Sequence, residues 1–237
     1  MSQEINSKEE NKASVLESPE VLVEKLSGFE EYLEKNKKLL AVAGIGLLAF
    51  VAGFFGVRWY LDTQNKEAEE AMFQAVYYFE ADSLDKALND GKGGKMGLLS
   101  IAENYGSTPS GKLAHFYAGA IYLKKGKNQE AIDHLTQYDG SDLLITPRAH
   151  CLLGDAYLEM DDKEKALEYY KKAALHAPNK FFSPKYLMKA ALEQELMNRY
   201  DDAINTYTQV VEKYNDTQES AEANKLRARL QQMTGKE

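Results

Sequence analysis

Few residues in this chain have types and spacings suited to chemistry. Gly91-Lys92-Gly93-Gly94-Lys95 has the composition of a phosphate-cradling loop, because glycine lets backbone N–H groups approach an anion and lysine adds charge. It lacks the G-x4-G-K-[ST] pattern, since Met96 follows Lys95, and no strand leads into it, so nucleotide binding is not expected. The four histidines, His115, His134, His150 and His176, show no metal-ligand spacing among themselves or with Cys151. His115 and His150 are read as packing residues between helices. Neither a Ser-His-Asp nor a Cys-His arrangement can be built, and the paired acids Asp161-Asp162 and Asp201-Asp202 fall in polar turns facing solvent. The expectation is a protein that is not an enzyme and takes no cofactor and no metal, leaving a binding surface as the means of action.

The elements that would carry such a surface repeat along the chain. Ala118-Gly119-x2-Tyr122 is followed by Ala131 and Leu135; thirty-five residues later stand Leu153-Gly154-x2-Tyr157, then Ala166, Tyr170 and Pro178; a third copy has Ala190-Ala191, Ala203 and Tyr207. This series resembles the tetratricopeptide repeat, a helix-turn-helix unit of about 34 residues. The residue types have a physical reason. Gly119, Gly154 and Ala191 are small where two antiparallel helices cross, and Ala131, Ala166 and Ala203 are the small partners on the second helices. Tyr122, Tyr157, Tyr170 and Tyr207 fill space between repeats. His115 and His150 stand where the repeat usually has Trp, and Gln194 stands where Tyr is expected. The turns 125–128, 160–163 and 198–202 are polar and each precedes a new apolar period. A degenerate copy is expected upstream. Its first helix would hold Ala68, Ala71, Met72, Ala75, Tyr78 and Phe79, its second Leu98, Leu99, Ile101, Ala102 and Tyr105, with a glycine-rich loop over 89–95 between them. Ser220 to Met233 reads as the polar capping helix that repeat arrays need.

Tetratricopeptide arrays line their concave face with the first helix of each repeat. Carried onto this chain, that register implies a groove of Leu113, Phe116, Ala120 and Leu123, then Arg148, Cys151, Asp155 and Leu158, then Lys185, Met188, Leu192 and Glu195. Some such domains grip a peptide carboxylate with Lys and Asn. Phe116, Ala120, Cys151 and Met188 stand at those places, so the groove suits an apolar or extended polypeptide.

Before the repeats, Leu39 to Val57 are nineteen consecutive residues without a polar side chain. At ~1.5 Å per residue such a helix is ~28 Å long, about one hydrocarbon core. Lipid offers backbone groups no partner, so a lone span must be helical. The run is longer than the apolar region of a signal peptide and no A-x-A site follows it, which favours a signal anchor. Lys25, Lys35, Lys37 and Lys38 on its N-terminal side outnumber Arg58 and Lys66 on the other, placing the N-terminus in the cytoplasm. Gly46, Ala49, Gly53 and Gly56 share roughly one face and permit close packing of a partner helix.

Residues 1–17 are polar and read as a disordered cytoplasmic tail. Residues 18–38 follow as an amphipathic cytoplasmic helix, opened by Ser18-Pro19-Glu20 and striped by Leu22, Leu26, Phe29 and Leu33, which either lies on the lipid bilayer or docks onto another protein. The remaining divisions are 39–60 transmembrane anchor, 61–111 degenerate first repeat, 112–217 three tetratricopeptide repeats, and 218–237 capping helix and tail. The predicted fold class is thus all-α, one transmembrane helix followed by a tetratricopeptide repeat solenoid. The whole chain carries 29 basic and 37 acidic residues, an acidic balance that excludes nucleic-acid binding on charge grounds. The single Cys151 cannot form an internal disulfide.

The layout, together with Ser18-Pro19-Glu20, Glu34-Lys35-Asn36-Lys37-Lys38, Tyr117-Ala118-Gly119, Asp142-Leu143-Leu144 with Pro147, and Leu153-Gly154-Asp155-Ala156-Tyr157, resembles the YfgM-like ancillary subunits of the bacterial Sec translocon, and most of all their versions from Bacteroidota. The resemblance covers roughly residues 18–233. It implies an inner-membrane protein with a periplasmic repeat domain. Its partners would be the SecYEG translocon, a membrane-anchored periplasmic chaperone of the prolyl-isomerase type, and exported polypeptides. A second reading is an inner-membrane scaffold for another envelope assembly or secretion complex.

Overall fold

The computed structural model describes residues 19–89 and 96–235, with side chains from residue 33 onward. The tail 1–17, the Ser18 cap and most of the expected glycine-rich loop lie outside the described residues, as do the side chains of Leu22, Leu26 and Phe29. Leu33 is exposed. All regular structure among the described residues is helical, in ten elements: α1 (Pro19–Glu80), α2 (Leu84–Asn89), α3 (Leu98–Tyr105), α4 (Pro109–Lys124), α5 (Asn128–Gln137), α6 (Ile145–Glu159), α7 (Lys163–Leu175), α8 (Ser183–Leu196), α9 (Tyr200–Lys213) and α10 (Gln218–Thr234). The chain divides into two units, Met1–Trp59 and Tyr60–Glu237.

Among its described residues the first unit is helix alone. Neither the Lys35–Lys38 run nor the stretch from Arg58 to Glu80 contains Gly or Pro, and charged residues with long side chains are good helix formers, so α1 runs through both expected borders, 38/39 and 60/61, without a break. No part of its apolar stretch is buried, and the helix is long and apolar enough to cross a membrane. A Cβ built at Gly46, Gly53 or Gly56 would meet nothing, so this face is open.

The second unit is built from one turn used four times among the described residues. Asp82, Gly126, Asp161 and Asn198 all take left-handed backbone angles, with φ of 55°, 70°, 61° and 58°. Gly, Asn and Asp tolerate that region best. In each turn the residue just after donates its N–H back across the helix end: Ser83 to Tyr78 O at 2.8 Å, Lys127 to Tyr122 O at 2.9 Å, Asp162 to Tyr157 O at 2.9 Å and Arg199 to Gln194 O at 2.8 Å. This is the Schellman closure, which satisfies carbonyls left over at a helix end. A new helix starts two residues after each left-handed residue. Five residues after it stand Ala87, Ala131, Ala166 and Ala203, each fully buried.

This register corrects the expected first repeat. Its second helix does not begin near Leu98. It begins at Leu84, as α2, and the next described helix is α3. Ala75 takes the place of Gly119 and Gly154, and Ala87 that of Ala131 and Ala166; both are buried together with Ala68, Met72, Leu88, Leu98, Ile101 and Ala102.

Helix crossings are close where small residues were expected. A Cβ at Gly119 would stand 2.6 Å from Leu135 Cγ and 3.1 Å from Ala131 O. One at Gly154 would stand 2.5 Å from Tyr170 Cε1 and 3.2 Å from Ala166 O. Gln194 is buried, and Thr206 of the paired helix donates a hydrogen bond to it at 2.7 Å, so the departure from Tyr is matched by a polar partner. Thr108, Asp162 and Thr217 cap α4, α7 and α10 by accepting backbone N–H groups. Asp142 caps α6 from outside the helix, accepting from the N–H groups of Leu144, Ile145 and Thr146. The final helix α10 buries Ser220, Ala223 and Leu230.

Candidate partner-binding surface

The expected groove residues sit on α4, α6 and α8, the first helices of successive repeats, but they do not all reach a surface. Phe116, Ala120 and Cys151 are buried and belong to the core. Phe116 packs edge-on against Tyr117 and beside Tyr138, which removes it from any groove. Cys151 lies in the core cluster of the later repeats, and burial pushes its thiol up to about 12, with Asp155 adding to the effect. Such a thiol stays protonated near neutral pH and is a poor nucleophile.

The two acidic groove residues are engaged within the chain. Asp155 accepts hydrogen bonds from Tyr170 Oη at 2.7 Å and Lys189 Nζ at 2.6 Å. Burial, aided by Asp155, raises the Tyr170 phenol well above its usual range. Burial works against the charge on Lys189, yet the bond to Asp155 and the surrounding groups outweigh it and hold the ammonium above its ordinary value. Glu195 is bound by Arg229 of α10. Both acids therefore brace one repeat against the next. Lys189 and Arg229 stand 34 residues after their partners, about one repeat period, and were not anticipated.

What remains accessible is narrower and more apolar. Leu113, Leu123, Leu158 and Met188 are partly buried, while Arg148, Lys185 and Leu192 are exposed. Leu196, four residues after Leu192 on the same stripe, is exposed as well. Lys185 and Met188 open onto a cleft of about 530 Å³ shared with Gln218, Glu219, Ala221, Glu222 and Lys225 of α10. This cleft is long-stemmed and two-signed at its rim, suited to a polypeptide segment rather than a compact cofactor.

The histidines pack between paired helices, as expected for His115 and His150. His115 Nδ1 lies 3.0 Å from His134 Nδ1, so one ring donates and the other accepts, and His134 stacks on Tyr122. Burial lowers both. His150 packs beside Tyr169 and His176, and burial followed by the charges of His176 and Lys172 lowers it too.

Residues 147–180 match the family model of the tetratricopeptide repeat, and residues 186–217 match a second model of that repeat. These ranges hold α6–α7 and α8–α9. Residues 147–217 thus carry tetratricopeptide repeats, the regular structure among the described residues is all helical, and one N-terminal helix has membrane-spanning length and apolarity; repeats of this kind mediate protein–protein interaction. No curated protein matches the chain by sequence. Among solved structures, the crystal structure of MamA protein is similar over 69% of this chain and 85% of its own, with 17% identity and a TM-score of 0.47. A second crystal structure of MamA is similar over 73% of this chain and 86% of its own, at 16% identity and a TM-score of 0.48.

Proposed function

We propose that this protein is a single-pass inner-membrane adaptor that holds a periplasmic tetratricopeptide domain beside the Sec translocon and there binds a chaperone segment or an emerging polypeptide. The observation that carries the reading is the presence, in one chain, of a wholly exposed apolar stretch of helix and an array of repeats whose Leu113, Leu123, Leu158, Met188 and Leu192 reach the surface. The exposed helix needs a lipid or protein environment to be stable. The open glycine face of Gly46, Gly53 and Gly56, with Ala49, suits close approach by a channel helix. The lysines before the span orient the N-terminus to the cytoplasm. The Sec assignment itself rests on the resemblance to YfgM-like subunits. The membrane-anchored prolyl-isomerase-type chaperone and exported chains follow from the same resemblance.

Deleting residues 1–60 tests this reading. The account expects the tagged remainder to stay helical by circular dichroism and to lose co-purification with SecYEG from mild detergent. A soluble remainder that co-purifies as fully as the whole protein contradicts the anchoring role.

A further inference from the structure

Two neighbouring inter-repeat loops share a feature that the groove reading does not use. The loop before α6 carries Leu143 and Leu144, 65% and 62% exposed, and the loop before α8 carries Phe181 and Phe182, with Phe181 68% exposed. Leu175, at the end of α7, is 66% exposed between them. Each apolar pair is held by a polar anchor. Asp142 accepts the N–H groups of Leu144 and Ile145 at 2.8 and 2.5 Å. Asn179 accepts those of Phe181 and Phe182, both at 3.0 Å, while its own N–H donates to Ser183 Oγ at 2.9 Å. Side chains on fixed turns have already lost much of the entropy that insertion into another phase would cost. Large apolar side chains on a soluble surface are usually scattered rather than grouped.

Polar contacts place these loops along one edge of the repeat unit. Ser110 N–H, in the first turn of α4, donates to Asn65 Oδ1 at 2.9 Å. Lys112, in the same turn, pairs with Asp139 at 2.7 Å. A ring nitrogen of His176 lies 2.9 Å from the Asp142 carbonyl oxygen. The sequence of contacts thus passes from Asn65 to the Leu143–Leu144 loop and on to the segment carrying Phe181. Asn65 follows Val57, the last residue of the apolar run, by eight residues. A tether this short holds a bilayer at high effective concentration to whatever it carries.

We infer that this edge, through Leu143, Leu144, Leu175 and Phe181, inserts shallowly into the surface of the lipid bilayer that the span crosses. The inference rests on the membrane reading of α1. Two of the nearby cations are paired within the chain, Lys172 with Glu168 at 2.6 Å and Lys180 with Asp216 at 3.0 Å, and Glu168 also stands beside Lys171 and Leu175. Insertion is therefore apolar in character and does not depend on anionic headgroups. It fixes which edge of the array faces lipid and leaves the stripe of Met188 and Leu192 free for a polypeptide.

The test uses the full chain with Cys151→Ala, reconstituted in phosphatidylcholine nanodiscs with or without doxyl-labelled lipid. Single cysteines replace Leu143, Phe181, Met160 or Gly53 and carry an environment-sensitive dye. Met160, just past the other end of α6, is the control, and circular dichroism confirms folding. The expected result is quenching at positions 143, 181 and 53 and none at 160. Positions 143 and 181 behaving like 160 while 53 is quenched overturn the insertion and leave the span standing. Quenching at 160 equal to that at 143 and 181 overturns the assignment to this edge. A dye at 53 that stays unquenched overturns the membrane reading, and the insertion with it.

Discussion

Replacing Gly154 by alanine tests whether the repeats are held by the close helix crossing described above. The added Cβ falls 2.5 and 2.6 Å from Tyr170 Cε1 and Cδ1, with Ala166 O at 3.2 Å behind it. The Tyr170 ring is buried, and its hydroxyl is tied to Asp155 at 2.7 Å, so it has little freedom to turn aside. Overpacking of this kind costs about 1–3 kcal/mol. Alanine returns about 1 kcal/mol through its helix propensity. With the Tyr170–Asp155 bond strained as well, a net loss of about 2 kcal/mol is expected, which for a unit of this size lowers Tm by about 4–8 °C. Gly119→Ala is the comparison. There the obstacle is the buried Leu135 side chain, its Cγ 2.6 Å from the new Cβ, an aliphatic group that no hydrogen bond holds in place. It should cost less than half as much. Melting followed by far-UV circular dichroism on the full chain in mild detergent reads both. The same change in a Tyr170→Leu background should then be nearly free, because the obstructing ring is gone. A Gly154→Ala protein as stable as the parent, or equally destabilised with Tyr170→Leu, refutes the reasoning.

Asp142→Ala should lower stability at neutral pH by about 1–2 kcal/mol, because α6 loses its cap. Burial works to raise the Asp142 carboxyl, but the hydrogen bonds from Tyr138, Ile145, Leu144 and Thr146 outweigh it and hold it well below the usual carboxylate range. Its contribution is therefore present above the unfolded value of about 4 and lost as pH falls through the lower folded value; melts from pH 7 to pH 3 should show the gap to the parent closing only at the acid end. His115, His134 and His150 are lowered by burial, so the unfolded chain binds protons first and Tm should fall as pH drops below about 6.5, and His134→Leu should flatten that slope. Cys151 should react with iodoacetamide at pH 8 much more slowly in the folded protein than in urea; equal rates would contradict its burial.

Much of the architecture is legible in the chain because each repeat reuses one solution. The spacing of Gly or Ala, two residues, then Tyr marks the crossing, and a turn of Gly, Asp or Asn follows at a constant offset. The second helix of the first copy is hard to place from sequence because the glycine-rich residues after Asn89 read as an inter-helix loop. The offset from Asp82 to Ala87, the same as from Asp161 to Ala166, was the available signal. The groove was only half legible. Register placed residues on the right helices, but a helix facing two neighbours buries some of its stripe, and Phe116, Ala120 and Cys151 fall on that side. Asp155 and Glu195 read as groove-lining residues because their partners, Lys189 and Arg229, lie a whole repeat away, beyond the reach of local patterning. The apolar pairs stand in the sequence as Leu143-Leu144 and Phe181-Phe182, yet only their exposure in the folded unit shows that they point outward, on turns held by Asp142 and Asn179.

The most direct test of the central claim is photo-crosslinking in growing cells, with a photoreactive residue at Gly53, Met188 or Leu192 and mass spectrometry of the adducts. The account expects Gly53 to link to a SecYEG subunit, and Met188 or Leu192 to link to a prolyl-isomerase-type chaperone or to exported polypeptides. Adducts at all three positions with some other envelope complex, and none with SecYEG, would contradict it.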